Sequence, residues 1–229
     1  MIENGIIKLD NIFNVPFKVD LIPKENKSSR PALPMQPTSI TVHETGNVEE
    51  SADARSHTNY VDNTKRYVSW HFTIDDNVII QELPIIENAW HAGDGSKGPG
   101  NRTSIAVEIC VNKGGDFEKA KNNAAKLIYY LKQHVGTVQF VTTHSKWIKT
   151  DCPHNILKSG WNNFLARIDN VYNVIQQEKK IYPVPDWAKE SWKWAVEKGI
   201  NDGIVQSPLE VQFTHMLFKY NKARKEGRL

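Results

Sequence analysis

Hydrophobic positions along the first two-thirds of the chain come in short alternating bursts, separated by segments where they recur at helical spacing. SITVHETGN places Ile40 and Val42 two apart and predicts a strand from Ile40 to His43 that runs into a loop. Residues 51–64, SADARSHTNYVDNT, suit a helix capped by Ser51. VSWHFTID and VIIQELP read as two strands, with Asp75, Asp76 and Asn77 as the hairpin turn between them. HAGDGSKGPGNRTS is rich in glycine, serine and asparagine and predicts a long surface loop; IAVEICV follows as a buried strand. From Asp116 to His134, Ala120, Ala124, Leu127, Ile128 and Leu131 repeat as one face of a helix. VQFVTTH predicts another strand, SKWIKTDCPHN a loop, and Trp161 to Lys179 a helix. Before all of these, Pro31, Pro34 and Pro37 impose an extended approach on the first 38 residues. Strands interleaved with helices predict an α/β domain with helices packed on a central sheet.

The pattern changes near residue 180. IYPVPDW carries Pro183 and Pro185, which end the preceding helix and stiffen a linker over 181–185. An amphipathic helix follows, with Asp186 as its cap and Gly199 at its end, and a second helix from about Pro208 to Lys225 completes a hairpin. The expected organisation is a domain over 1–180, the linker, and a small helical appendage over 186–229. So short a piece is marginal as an independent fold and needs the first domain, a partner or a second copy to pack on. It holds Trp187, Trp192 and Trp194, of which Trp187 and Trp194 share a helix face. Three tryptophans here predict either a compact core or a face for stacking sugars.

Composition narrows the classes. Hydrophobic residues make up 39% and charged residues 24% of 229, enough apolar material for a real core. A net charge of +3 does not argue for nucleic acid, and it does not oppose approach to an anionic cell wall. Two cysteines, Cys110 and Cys152, exclude a disulfide framework but not a single bridge. No apolar run is long enough for membrane insertion, and MIENGIIKLDNIF lacks the basic and apolar regions of a signal peptide.

The candidate chemistry is carried by His43, His144 and Cys152, each at a strand end or in the loop beyond it. Two imidazoles and a thiolate match a catalytic zinc site, which uses three protein ligands and keeps one position open. Spacing alone does not decide this: the gap from His144 to Cys152 fits no zinc-finger pattern, and a surface histidine beside a buried thiol is the competing reading. Glu108 lies inside the apolar strand IAVEICV, where a charge needs a task or a partner. It is a catalytic carboxylate, a strand-edge residue, or the salt-bridge partner of Arg102.

The ordered motifs ITVHETGN, VSWHFTID, AWHAGDG, GPGNRTSIAVEICVN and THSKWIKTDCPH resemble the type 2 N-acetylmuramoyl-L-alanine amidase family, including phage and prophage amidases of Bacillus and Clostridium type and peptidoglycan recognition proteins. The resemblance spans 34–179. It implies a central mixed β-sheet flanked by helices, and a zinc ion held by His43, His144 and Cys152. It further implies Glu108 as catalytic acid and base in hydrolysis of the amide between N-acetylmuramic acid and L-alanine of bacterial peptidoglycan. It places Trp90, His91 and, less directly, His71 at the substrate groove, against the alternative that they support core and loop packing. Relatives carry a lysine two residues before the cysteine ligand; Thr150 stands there, which leaves the adjacent Lys149 as the candidate oxyanion helper. A Cys110–Cys152 bridge would remove a ligand and competes with the zinc site.

With no signal peptide, the resemblance implies a lysin made in the bacterial cytoplasm that reaches the wall with the help of a holin. Some relatives keep the groove but lose the metal, so a non-catalytic peptidoglycan-binding protein is the second reading; Cys152 at the third ligand position opposes it. WAVEKGINDG and FTHMLFKY resemble one S-layer homology repeat, with Glu210 and Val211 where such repeats carry an arginine. The appendage is therefore expected to bind wall polymer or to self-associate through its helices. Target species, stem-peptide chemistry and the choice between phage lysin and host autolysin are not encoded in recognisable residues.

Overall fold

The computed structural model describes residues 1–178, 184–198, 200 and 208–226. The chain forms two compact units, Met1–Val171 and Tyr172–Leu229. The expected linker lies largely outside the described residues, at 181–183, as does Gly199.

In the first unit the N-terminal segment is less irregular than its prolines predict. It forms β1 (Ile2–Glu3), β2 (Ile6–Ile7), β3 (Asn11–Ile12) and β4 (Val15–Val19). The first three are two residues long, too short for a readable period, whereas in β4 Val15 and Phe17 alternate inward as a strand requires. There follow β5 (Ser39–Glu44), α1 (Ala54–Asn63), β6 (Phe72–Ile74), β7 (Ile79–Gln81), α2 (Pro99–Thr103), β8 (Ser104–Ile109), α3 (Phe117–His134) and β9 (Phe140–Thr143). The unit closes with α4 (His154–Ser159) and α5 (Trp161–Asp169), and α6 (Val171–Glu178) begins at its boundary.

Seven strands build a mixed sheet in the order β3-β4-β7-β6-β8-β5-β9. Strands β6, β8, β5 and β9 run parallel to one another; β7 returns antiparallel to β6 through the turn at Asp75, whose carboxylate accepts the amides of Asn77 (2.7 Å) and Val78 (2.8 Å). Helices flank this sheet, as the interleaved pattern predicts. In-register residues point to the same face. Ile40, Val42, Ile105 and Val107 are fully buried on the face opposite His43 and Glu108, which pair directly.

Three local expectations are corrected. Helix α1 is capped by Asp53, whose side chain accepts the Ser56 amide at 2.8 Å; Ser51 contributes only its carbonyl, to the Ser56 hydroxyl. The glycine-rich segment before β8 contains α2, because Pro99 suits a first helical turn and Asp94 accepts the amides of Gly100 (2.6 Å) and Asn101 (3.2 Å). The helix expected over 161–179 is broken into α5 and α6 at Asn170.

Beneath α1 lies a buried polar network. The Trp70 indole donates to the Thr73 hydroxyl (2.6 Å); Thr73 (2.5 Å) and Thr58 (3.0 Å) donate to Glu82 Oε1. Glu82 is fully buried and its Oε2 has no partner among the described residues. Burial pushes its carboxyl up to about 8 from an ordinary 4.5, against the two hydroxyls that favour the charged form.

In the second unit a 3-10 turn at Asp186–Ala188 precedes α7 (Lys189–Glu197), so Asp186 opens the turn rather than capping the helix. Helix α8 covers Pro208–Lys225. Trp192, Ala188 and Val211 are buried together. The aromatic residues Trp187 and Trp194 pair edge-on with His215 and Phe218, at centroid distances of 5.0 and 5.5 Å.

Candidate metal centre and its cavity

Three adjacent parallel strands deliver the site. His43 is the fifth residue of β5 and pairs with Glu108 of β8; Val42 pairs with Thr143, the last residue of β9, and His144 follows it directly. Groups at the carboxyl ends of neighbouring parallel strands converge by construction, which is where open α/β sheets hold ligands. Cys152 comes from the loop after β9. The side-chain donor atoms of His43, His144 and Cys152 lie within 4.8 Å of one another.

The tautomers follow from the hydrogen bonds. His43 Nε2 lies 2.9 Å from His91 Nδ1, and His144 Nε2 lies 3.2 Å from the Ala92 carbonyl. A carbonyl can only accept, so His144 Nε2 carries the proton and Nδ1 keeps its lone pair. Between two imidazoles either nitrogen can donate; with His43 Nε2 as the donor, His43 Nδ1 is in the same state. That atom sits 3.8 Å from Cys152 Sγ and 3.9 Å from Glu108 Oε1. A tetrahedral ion with bonds of about 2.1 Å to nitrogen and 2.3 Å to sulfur needs its ligand atoms about 3.6 Å apart.

Electrostatics agree with the donor set. Burial, reinforced by His91 and His144, holds the His43 imidazole well below its ordinary range, and burial lowers His144 as well. Both rings are thus neutral and able to donate a lone pair at physiological pH. Burial and then Glu108 push the Cys152 thiol up to about 12, so binding a cation there must release a proton. Glu108 is raised to about 8 by burial and then by Glu44. Its Oε2 is buried with no partner among the described residues. A buried oxygen without a donor beside two neutral imidazoles and a thiol fits a cation and its water. Zinc suits this nitrogen and sulfur set.

Glu108 also lines a cavity of about 420 Å³ with Thr45, Asn47, Ser56, His57, Tyr60 and Trp70. His57 is only 9% exposed, with Nδ1 donating to Asp53 O at 2.9 Å. The helical spacing of Ser56 and Tyr60 with α1 against the sheet was the available signal, but it does not say which strand the helix covers.

The other candidates separate. His91 stands beside the centre, 9% exposed and hydrogen-bonded through Nδ1 to His43 Nε2, and its backbone amide is held by Asn101 Oδ1 at 2.8 Å. His71 belongs to the core: Nε2 donates to Glu87 O (2.9 Å), Nδ1 accepts the Ala106 amide (3.0 Å), and the residue is fully buried. Both nitrogens are committed to backbone, so nothing on this ring is free for a substrate. Trp90 is half-buried, with its amide on Ser69 Oγ at 3.0 Å. Lys149 is exposed, and Thr150 accepts the Cys152 amide at 3.3 Å. Arg102 donates to Pro34 O instead of Glu108. His154 is exposed and paired with Asp151. Cys110 and Cys152 are both free thiols; Cys110 packs with Ala54 and Ile80.

A family model described as N-acetylmuramoyl-L-alanine amidase matches residues 33–155. The N-acetylmuramoyl-L-alanine amidase CwlH of Bacillus subtilis (strain 168) is 46% identical over 172 residues, 75% of this chain and 68% of its own length. The N-acetylmuramoyl-L-alanine amidase XlyA of the same organism is also 46% identical, over 65% of this chain and 50% of its own length, so the chain aligns with about half of that relative. The solved catalytic domain of XlyA is 44% identical and similar in fold with a TM-score of 0.64, covering 67% of this chain and 99% of that one.

Proposed function

The chain belongs to the N-acetylmuramoyl-L-alanine amidase family, and from that premise we propose that it hydrolyses the amide between N-acetylmuramic acid and L-alanine in bacterial peptidoglycan with a zinc ion held by His43, His144 and Cys152. The observation that carries this reading is the convergence of three ligand atoms beside a buried carboxylate whose Oε2 has no partner among the described residues. When bound, zinc supplies Lewis acidity for the scissile carbonyl and for an attacking water. Glu108 takes the proton as the water oxygen adds to the carbonyl carbon. It then delivers that proton to the nitrogen as the carbon–nitrogen bond breaks, leaving a muramic carboxylate and a peptide amine. Its raised affinity for protons suits this double duty, and a nearby cation pulls the value back towards neutrality. His91 holds the His43 ring in the ligating tautomer. The cavity beside Glu108 receives the substrate around the scissile amide, and Lys149 is a candidate partner for the carbonyl oxygen.

The reading includes an endolysin-like role, with the second unit as a wall-binding or self-associating appendage. No helix among the described residues is long and apolar enough to cross a membrane. The test is paired: metal content of the purified protein, and release of amino groups from Gram-positive walls with and without chelator. About one zinc per chain and chelator-sensitive release are expected; metal without release from any wall would overturn the catalytic reading.

A further inference from the structure

Glu44 follows His43 at the end of β5 and is 9% exposed. Its carboxylate spans to the start of α4. Oε2 accepts the Asn155 backbone amide at 3.0 Å and the Asn155 side-chain amide at 2.7 Å, and Oε1 accepts the Ile156 amide at 2.8 Å. These are the second and third amides of the helix, the donors that an N-cap side chain ordinarily satisfies. The residue in the cap position is Pro153, which has no side chain able to accept them. A carboxylate more than 100 residues upstream supplies the cap instead. Negative charge there also opposes the positive end of the helix.

The consequence concerns the third ligand. Cys152 immediately precedes Pro153, and its Sγ lies 4.0 Å from the Glu44 carbonyl and 3.8 Å from His43 Nδ1. One strand end therefore carries the first ligand on one residue and, on the next, the anchor for the segment that carries the last. We propose that Glu44 is a positioning residue for the metal centre: its carboxylate docks α4 against β5 so that Cys152 is already in place when the ion arrives. This rests on the zinc reading above. Without the anchor the loop must be ordered at the moment of binding, and that entropy is subtracted from affinity. Outer partners of metal ligands are generally worth about 10–100-fold in affinity.

The experiment is a double-mutant cycle on zinc affinity, measured by chelator competition with the full chain. Glu44→Gln keeps the side-chain size but turns an NH2 group towards a backbone amide. It should weaken zinc about 10–100-fold, and the thiolate-to-cobalt charge-transfer band of the cobalt-loaded protein should weaken in parallel. In a Cys152→Ala background, where no third ligand remains to be positioned, the same substitution should cost little. Asn155→Ala removes one of the three contacts and leaves the carboxylate, so it gives a milder loss with the same dependence on Cys152. An equal loss in both backgrounds, or none in either, would overturn the proposal while leaving the zinc reading intact. Failure of the unaltered chain to bind zinc would overturn both.

Discussion

Glu108 and Glu82 stand on one side of the same sheet, and burial raises both carboxyls to about 8. Each leaves its Oε2 without a partner among the described residues. Their surroundings differ. Glu82 is sealed, with two threonine hydroxyls on its other oxygen and Trp70 behind them. Glu108 faces a cavity, and its other oxygen looks across 3.9 Å at His43 Nδ1. A displaced proton affinity is therefore not a sign of chemistry in itself. It becomes one when the group is open to a substrate and adjoins groups that only a further atom can satisfy.

The sharpest way to break this contrast is to neutralise each carboxylate. Glu108→Gln should lower kcat by about 10²–10⁴ while zinc content and melting temperature stay near the unaltered values; retained turnover on cell walls would remove Glu108 from the mechanism. Zinc affinity should rise by about tenfold per pH unit across the neutral range, because the raised Cys152 thiol must shed a proton to bind. Competition titrations between pH 6 and 8 measure this, and Glu82→Gln should leave the slope unchanged.

His57 tests the cavity. Its replacement by Ala should raise KM by up to about tenfold, the worth of one hydrogen bond of about 0.5–1.5 kcal/mol, with kcat little altered. A fall in kcat alone would place His57 in the chemical step instead. The smallest effect belongs to Glu82. Its folded-state affinity for protons is above the unfolded one, so its contribution is fully present below pH 4.5 and is lost as pH rises through about 8. Glu82→Gln should accordingly raise the melting temperature at pH 9 by about 2–4 °C, roughly 1 kcal/mol for a chain of this size, and change little at pH 5. A uniform shift at both pH values would mean that packing, not charge, dominates at this position.

The convergence of His43, His144 and Glu108 was legible because each ends or interrupts a strand that the apolar alternation marks, whereas Cys152 sits in the loop beyond β9 and was singled out only by the order of the family motifs. Period could not reveal β1 to β3, whose lengths give no repeat, or α2, whose five residues are defined by Asp94 acting from outside the helix. The cap at Asp53 rather than Ser51 is a choice between two good capping residues two positions apart. Glu44, His57 and Asn101 were not legible for a common reason. Each is a polar residue whose role is set by a partner brought near by the sheet, and no local spacing encodes that partner.

The pairing of β5 with β8 and β9 carries a consequence for assembly. His43 meets its thiol across 109 residues of chain, after two parallel pairings that must each close a long loop first. Contacts of such sequence separation form slowly and late. Partly folded or half-synthesised chains hold the histidines and the cysteine apart, so the proposed centre comes into being only with the finished sheet, and uptake of the proposed zinc during refolding would read out the last stage of folding rather than the first.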